Sequence, residues 1–196
     1  EIAGEAAAAR RTFDDVTRAL AREHEHIRHR FLVTRGQTVA ELNRVTEDFD
    51  FVLVARGLRA SRLRARHGQS FIGVLEQPKS MLFVNEPWAS GSSVVVLDGS
   101  VDTLRAAARL AELEDLRLVV ANSPPGSRTS ARSAAIPAGA VERTLTDWEE
   151  ESIADLCLAE DARLLIVPAT GQFHWAGLIA SLMDRLPCSV LKLAEV

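Results

Sequence analysis

The sequence has no tyrosine, only two cysteines and no long apolar run, and each shortage excludes something. Two cysteines, Cys157 and Cys188, cannot build a metal framework on their own. Both stand in apolar contexts of helix or strand-edge type, where a free thiol behaves as a small hydrophobe and a reducing compartment fits. The longest apolar stretches are Phe-Val-Leu-Val-Ala at 51–55 and Val-Val-Val-Leu at 94–97. Both are strand-sized, and no run approaches the roughly 18 residues of a membrane span. There is no basic excess either: 23 Lys and Arg against 27 Asp and Glu leave a net charge of −4. A generic nucleic-acid binder would show a basic footprint instead. Residues 1–30 read as a charged helix without the apolar centre of a secretory signal, so a cytoplasmic location is expected. The missing tyrosine accompanies abundant alanine and arginine, which looks like the coding bias of a GC-rich bacterium.

What remains is enough for a real core: 196 residues, 47% of them hydrophobic, allow one or two domains. Ala9, Phe13, Val16, Leu20 and Ile27 fall near one face of a helix over residues 1–30. A short strand, Phe-Leu-Val-Thr at 31–34, runs into a turn at Arg35-Gly36. A helix over 38–48 follows, with Val39, Leu42 and Val45 buried. The strand at 51–55 is apolar throughout, as expected when both sheet faces are covered. A basic loop, a helix at 70–77, Pro78 and a second apolar strand at 81–84 come next. Residues 85–93, with Pro87, Gly91 and three serines, are the best linker. Beyond it lie a strand at 93–97, a helix at 101–114, a strand at 116–121 and a Ser/Pro/Gly-rich loop over 122–139. A short strand at 140–145 precedes a helix with Asp147 as its N-cap and Glu149, Glu150 and Glu151 in its first turn. That helix runs to about residue 161. A strand at 164–167, a helix at 175–185 and a strand at 190–193 close the chain.

Strands alternating with helices through short connections imply right-handed βαβ units: an α/β fold with doubly wound parallel sheets. The chain also repeats. Val39-Ala-Glu-Leu, the strand at 51–55, a helix, a proline and the strand at 81–84 have a counterpart. It comprises Ile153-Ala-Asp-Leu, the strand at 164–167, a helix, Pro187 and the strand at 190–193. The offset is about 109 to 114 positions, which suggests duplicated units.

Val94-Val-Val-Leu-Asp-Gly-Ser before a helix rich in Ala and Leu resembles the opening of a universal stress protein domain. Leu182-Met-Asp-Arg-Leu-Pro-Cys-Ser-Val-Leu-Lys-Leu resembles that family's closing helix and strand. Arg35-Gly36 and Val52-Leu-Val-Ala-Arg-Gly resemble its later half in the first repeat. The resemblance implies two Rossmann-like units of the adenine nucleotide alpha hydrolase type. Residues 1–88 would be the C-terminal part of a first domain and 93–196 a second, shortened one. It further implies that the strands at 94–97 and 164–167 are adjacent, and that the strands at 81–84 and 190–193 pair with each other or with a second copy. A homodimer, or intramolecular pairing through these fifth strands, is therefore expected. The strand at 31–34 has no first or second strand beside it in the first repeat, so some 50 to 80 further residues are expected upstream, in keeping with a domain of about 140 residues.

The resemblance also implies where a nucleotide would sit. In binding members an aspartate after the first strand meets the adenine end, and a loop of the form G-x-x-G-x9-G-[ST] after the fourth holds ribose and phosphates. Glycines let backbone N–H groups approach phosphate oxygens, and the next helix N-terminus favours the anion. Asp98 and Ser100 match the first element. In the second repeat the loop, Pro168 to Gly177, keeps Gly171 and Gly177 at the wrong spacing, with Phe173 and Trp175 intruding. In the first repeat Gly57, Gly68 and Ser70 stand in place among Arg56, Arg59, Arg62, Arg64 and Arg66. There Ala60 replaces the second glycine, and the spacing is short. The site is thus degenerate and split, and ATP or another adenine nucleotide is its natural ligand if any. Asp98 reads equally as a helix-capping residue, and the arginine run as a solvated loop.

Other chemistry is sparse. His26 and His29 share a helix face beside His24, which reads as a solvated face and not a metal site. His174 has no acid or nucleophile near it in sequence. No G-x-S-x-G, no P-loop and no spaced acidic pair is present. The expectation is a non-enzymatic stress-response or regulatory protein without nucleic-acid partner. The alternatives are a cytoplasmic regulatory domain of a transporter and an adenine-nucleotide hydrolase on the same fold. Fold analogy carries most of this reading.

Overall fold

The computed structural model describes residues 2–23, 31, 38–47, 49–55, 79–84, 91–97, 100–122, 136–168, 175–186 and 188–194. The chain divides into two compact units, Glu1–Arg44 and Val45–Val196. In the first, α1 (Ile2–Glu23) is followed by α2 (Thr38–Thr46), whose last residues pass into the second. The Phe13 ring lies 5.3 Å from that of Phe31, and the Arg10 guanidinium sits 5.4 Å over Phe31. The face expected to be buried is shifted by one residue: Ala9 and Val16 are exposed and Thr17 is buried. Thr17 tolerates burial because its hydroxyl donates to the Phe13 carbonyl at 2.8 Å, leaving no unsatisfied polar group. Val45 is half-buried, while the side chains of Leu20, Val39 and Leu42 lie outside the described residues, as does Ile27. Phe31 belongs to no strand, and the remainder of the strand expected at 31–34 lies outside the described residues.

The second unit is built on one seven-stranded sheet in the order β1-β2-β7-β6-β3-β4-β5. Its strands are β1 (Phe51–Ala55), β2 (Ser80–Val84), β3 (Ser93–Leu97), β4 (Arg117–Asn122), β5 (Val141–Thr144), β6 (Ala162–Pro168) and β7 (Ser189–Leu193). Its helices are α3 (Val101–Leu113), α4 (Glu150–Ala159) and α5 (Trp175–Arg185). Every residue of β3 is buried, as its unbroken Val-Val-Val-Leu run requires of a strand covered on both faces. As expected, β3 and β6 are neighbours and parallel, with Val94 opposite Leu164 and Val96 opposite Ile166. On α3, Leu104, Ala107 and Ala111 recur at helical spacing and cover Val94, Val96, Leu118, Val120, Ile166 and Leu191. The alternate residues Val95, Val119, Leu165 and Val190 are buried on the opposite face. Right-handed crossovers carry α4 and α5 to that face, because the chain there steps in the opposite direction along the sheet.

Two helix ends are built alike. Glu114 and Glu160 close α3 and α4, and Asp115 and Asp161 follow them with φ of 52° and 51°. Aspartate is among the few side chains that accept this left-handed stop. After α3, Leu116 N–H bonds the Ala111 carbonyl at 2.8 Å and satisfies an otherwise orphaned acceptor. At the other end of α4 the cap is Glu149 and not Asp147. Asp147 stands two residues further out, and its carboxylate accepts the Glu149 N–H at 3.0 Å. An aspartate readily bonds the backbone two residues on, which moves it out of the cap position. Donation from Ser152 and from the Glu149 N–H holds the Asp147 carboxyl below its ordinary range.

Gly91 lies within the segment read as a linker, and here the chain is fixed. Its φ is 100°, and a Cβ would stand 2.6 Å from the Arg163 nitrogen. Ser92 N–H bonds the Asp161 carbonyl at 2.8 Å, and Arg163 Nε bonds the Gly91 carbonyl at 3.1 Å. Glu160, whose side chain is 8% exposed, then ties three strands together. Its carboxylate meets Arg117 Nη2 at 3.1 Å and Arg143 Nε at 2.6 Å, and its carbonyl accepts from Ser93 Oγ at 2.8 Å.

Among the described strands only the β2–β7 pair is antiparallel; Met81 faces Lys192, Leu82 faces Leu191 and Phe83 faces Val190. The repeat makes Met81 equivalent to Val190, Leu82 to Leu191 and Phe83 to Lys192, so equivalent residues exchange partners about the Leu82–Leu191 pair. That is the self-complementary arrangement of a two-fold interface, made here within one chain. The expected pairing of these strands is present, which makes them interior; among the described residues the sheet edges are β1 and β5. Among the described residues no helix is long and apolar enough to cross a membrane.

Candidate functional site

Of the residues singled out in the sequence, Ser100 lies in the described structure; Asp98, Gly57, Gly68 and Ser70 lie outside it. Ser100 is the N-cap of α3, with φ −62° and ψ 167°. Its Oγ accepts the Thr103 N–H at 3.2 Å and shares a 3.1 Å hydrogen bond with the Thr103 hydroxyl. Ser100 therefore satisfies one of the orphan donors that a phosphate oxygen would otherwise meet. In the first turn, Asp102 places a carboxylate at the positive end of the helix and bonds Arg105 Nη1 at 2.6 Å.

A cavity of about 280 Å³ opens beside this helix start, lined by Ser80, Ser100, Asp102, Thr103, Leu193 and Ala194, with Ala106 at its wall. It joins the beginning of β2 to the end of β7, where Ser80 Oγ accepts the Ala194 N–H at 3.0 Å. The described lining offers hydroxyls, backbone and one carboxylate, and no basic side chain. Such a lining can hold a small polar ligand by hydrogen bonds but has no cation to answer a polyphosphate. Ser80 and Thr103 were not anticipated. The signal for Thr103 was its place three residues after Ser100, where a second hydroxyl meets the cap. Ser80 is the polar residue directly before an apolar strand and carries no pattern of its own.

The antiparallel seam decides where the two halves of the expected nucleotide site begin. Asp98 follows β3, whose C-terminal end lies beside those of β4 and β6. Gly57 follows β1, which is parallel to β2 and so antiparallel to β7, β6 and β3. The C-terminal ends of β1 and β3 thus open at opposite ends of the sheet. Four strand spacings, about 19 Å at 4.8 Å each, separate the two strands. The expected metal-free reading of His24, His26 and His29, and that of His174, concerns residues outside the described structure. Among the described residues no group of three or more His, Cys, Asp or Glu is placed to hold a metal ion.

No protein-family model matches the chain, and no curated protein matches it. Solved structures do. A universal stress protein from Archaeoglobus fulgidus aligns with 94% of this chain and 77% of its own at 14% identity and a TM-score of 0.61. A functionally unknown protein from Pseudomonas aeruginosa aligns with 93% of this chain and 76% of its own at 15% identity and a TM-score of 0.60. Within β3–β7 the strand order is third-second-first-fourth-fifth, which sets the first and fourth strands side by side as the resemblance implied. Identity this low speaks to architecture alone: the chain has the universal stress protein fold.

Proposed function

We propose that this chain is a non-enzymatic regulatory protein of the universal stress class, acting in the cytoplasm by association, in which adenine-nucleotide binding is weak or lost. The observation that carries the reading is the antiparallel seam between β2 and β7. It uses the strands through which such units associate, and it aims the ends of β1 and β3 away from each other. The strand leading to Asp98 and the strand leading to Gly57 therefore end at opposite ends of the sheet, which argues against a single completed site. The filled cap at Ser100 and the Asp102 carboxylate support the same reading, because the α3 start beside the adenine-end position is already capped and carries a negative charge.

Titration calorimetry with ATP and with AMP tests it. The expected result is no saturable heat for either nucleotide below about millimolar concentration, the weak end of the affinity scale. A micromolar dissociation constant abolished by Asp98→Ala would overturn the reading, since one repeat would then carry a working site.

A further inference from the structure

The two cysteines of the chain, far apart in sequence, meet in the fold. Cys157 lies on α4 and Cys188 directly precedes β7, and their side chains are hydrogen-bonded to each other. They are 0% and 2% exposed, and neither is in a disulfide. Each thiol packs as a small hydrophobe would, and the contact adds what such a residue lacks: a second sulfur within hydrogen-bonding reach.

We infer that Cys157 and Cys188 form a redox pair, an intramolecular disulfide site that ties α4 to the start of the seam strand β7 under peroxide. The chemistry balances with hydrogen peroxide as oxidant. One thiol loses its proton and attacks the O–O bond, giving a sulfenic acid and one water. The second thiol attacks the sulfenic sulfur, forming the S–S bond and releasing a second water. Two thiol hydrogens and two electrons leave with the two peroxide oxygens.

The surroundings set the rate. The hydrogen bond that the Cys157 thiol donates to Cys188, and then burial, keep that thiol protonated well above its ordinary range. Since the thiolate is the nucleophile, the pair reacts slowly at neutral pH and faster as pH rises. It stays reduced through brief exposure and closes under sustained oxidant. The consequence is mechanical. A bridge from 157 to 188 encloses β6 and α5, so opening of that segment is suppressed and β7 is held against β6 beside the seam. Closing a loop of this size limits the unfolded chain and stabilises the folded one.

The test uses the full chain, treated with hydrogen peroxide, unfolded, alkylated with N-ethylmaleimide and weighed intact. The inference expects a mass lower by two hydrogen atoms, no maleimide uptake, and a proteolytic fragment in which the Cys157 and Cys188 peptides are linked. It also expects a melting temperature about 5 °C or more above that of the reduced chain, reversed by dithiothreitol. Oxidation should be faster at pH 9 than at pH 7. Cys188→Ser should show no rise in melting temperature after the same treatment. Uptake of two maleimides after oxidation, sulfinic acids without a link, or a bridge between two chains would each overturn the inference. The wild-type mass and peptide map decide it even where Cys188→Ser fails to fold.

Discussion

β1 and β3 are both five-residue strands, Phe-Val-Leu-Val-Ala and Ser-Val-Val-Val-Leu, and they end in opposite surroundings. β3 sits between β6 and β4 with every residue buried. β1 is an edge strand on which Phe51 and Leu53 are 48% and 60% exposed while Val52 is buried. An unbroken apolar run therefore says that a segment pairs as a strand, and not how many neighbours or layers cover it. The lesson extends to the seam. There Met81 and Phe83 of the two-stranded part are as deeply buried as the centre of the five-stranded part, because β2 borrows cover from β7.

The comparison breaks most visibly at Phe83 and Leu53, two apolar side chains one strand apart. Phe83→Ala should cost about 3–5 kcal/mol in urea unfolding, as truncation of a buried aromatic does. Leu53→Ala should stay within about 0.5 kcal/mol. Equal losses would mean that the β1 face is covered after all.

Next in size comes Glu160, which joins β3, β4 and β5 within the five-stranded part. Glu160→Ala removes the carboxylate that Arg117 and Arg143 share, but both arginine side chains are 46% exposed and regain water. A loss of about 1–3 kcal/mol is expected by urea unfolding. Glu160→Gln keeps the shape and one acceptor but not the charge, and should recover part of the loss; full recovery would mean that shape and not the shared ion pair accounts for it.

Ser100→Ala should cost about 1 kcal/mol by removing the bond to Thr103 N–H. A Ser100→Asp variant should restore it, because a carboxylate caps and also favours the helix start. No change in the alanine variant would separate Ser100 from the capping role and return it to ligand binding.

The smallest effect is one of pH. Cys157 is held protonated in the folded chain to a pH well above the ordinary thiol range. Its contribution is complete below the unfolded thiol value, about 8.5, and is lost as pH rises toward the folded one, since the unfolded chain gives up its proton first. Stability in dithiothreitol should fall from about pH 8.5 upward, and Cys157→Ser should flatten that slope. An identical slope in the variant would place the titrating group elsewhere.

Much of this was legible beforehand because it depends on local chemistry. The β-branched run at 94–97 and the apolar run at 164–167 marked neighbouring interior strands. The need to cover two apolar edges paired residues 81–83 with 190–192. Helix ends were less legible. Asp147 looked like a cap, yet its side chain bonds two residues on and leaves the cap to Glu149. Val16 lost its expected burial to Thr17, which the helix backbone satisfies at Phe13. A Glu-Asp pair before a strand, at 114–115 and again at 160–161, was the missed signal for two left-handed helix stops. The candidate nucleotide site was legible as residue types but not as geometry. Only the direction of the β2–β7 pairing reveals that the strands leading to Asp98 and to Gly57 point to opposite ends of the sheet.

Hydrogen–deuterium exchange on the intact chain tests that seam most directly. With β2 paired to β7, the amides of 81–83 should be as protected as those of 190–192, exchanging together and nearer to β3 than to β1. Rapid exchange across 81–83, with 94–97 and 164–167 still protected, would contradict the two-fold joining of the sheet.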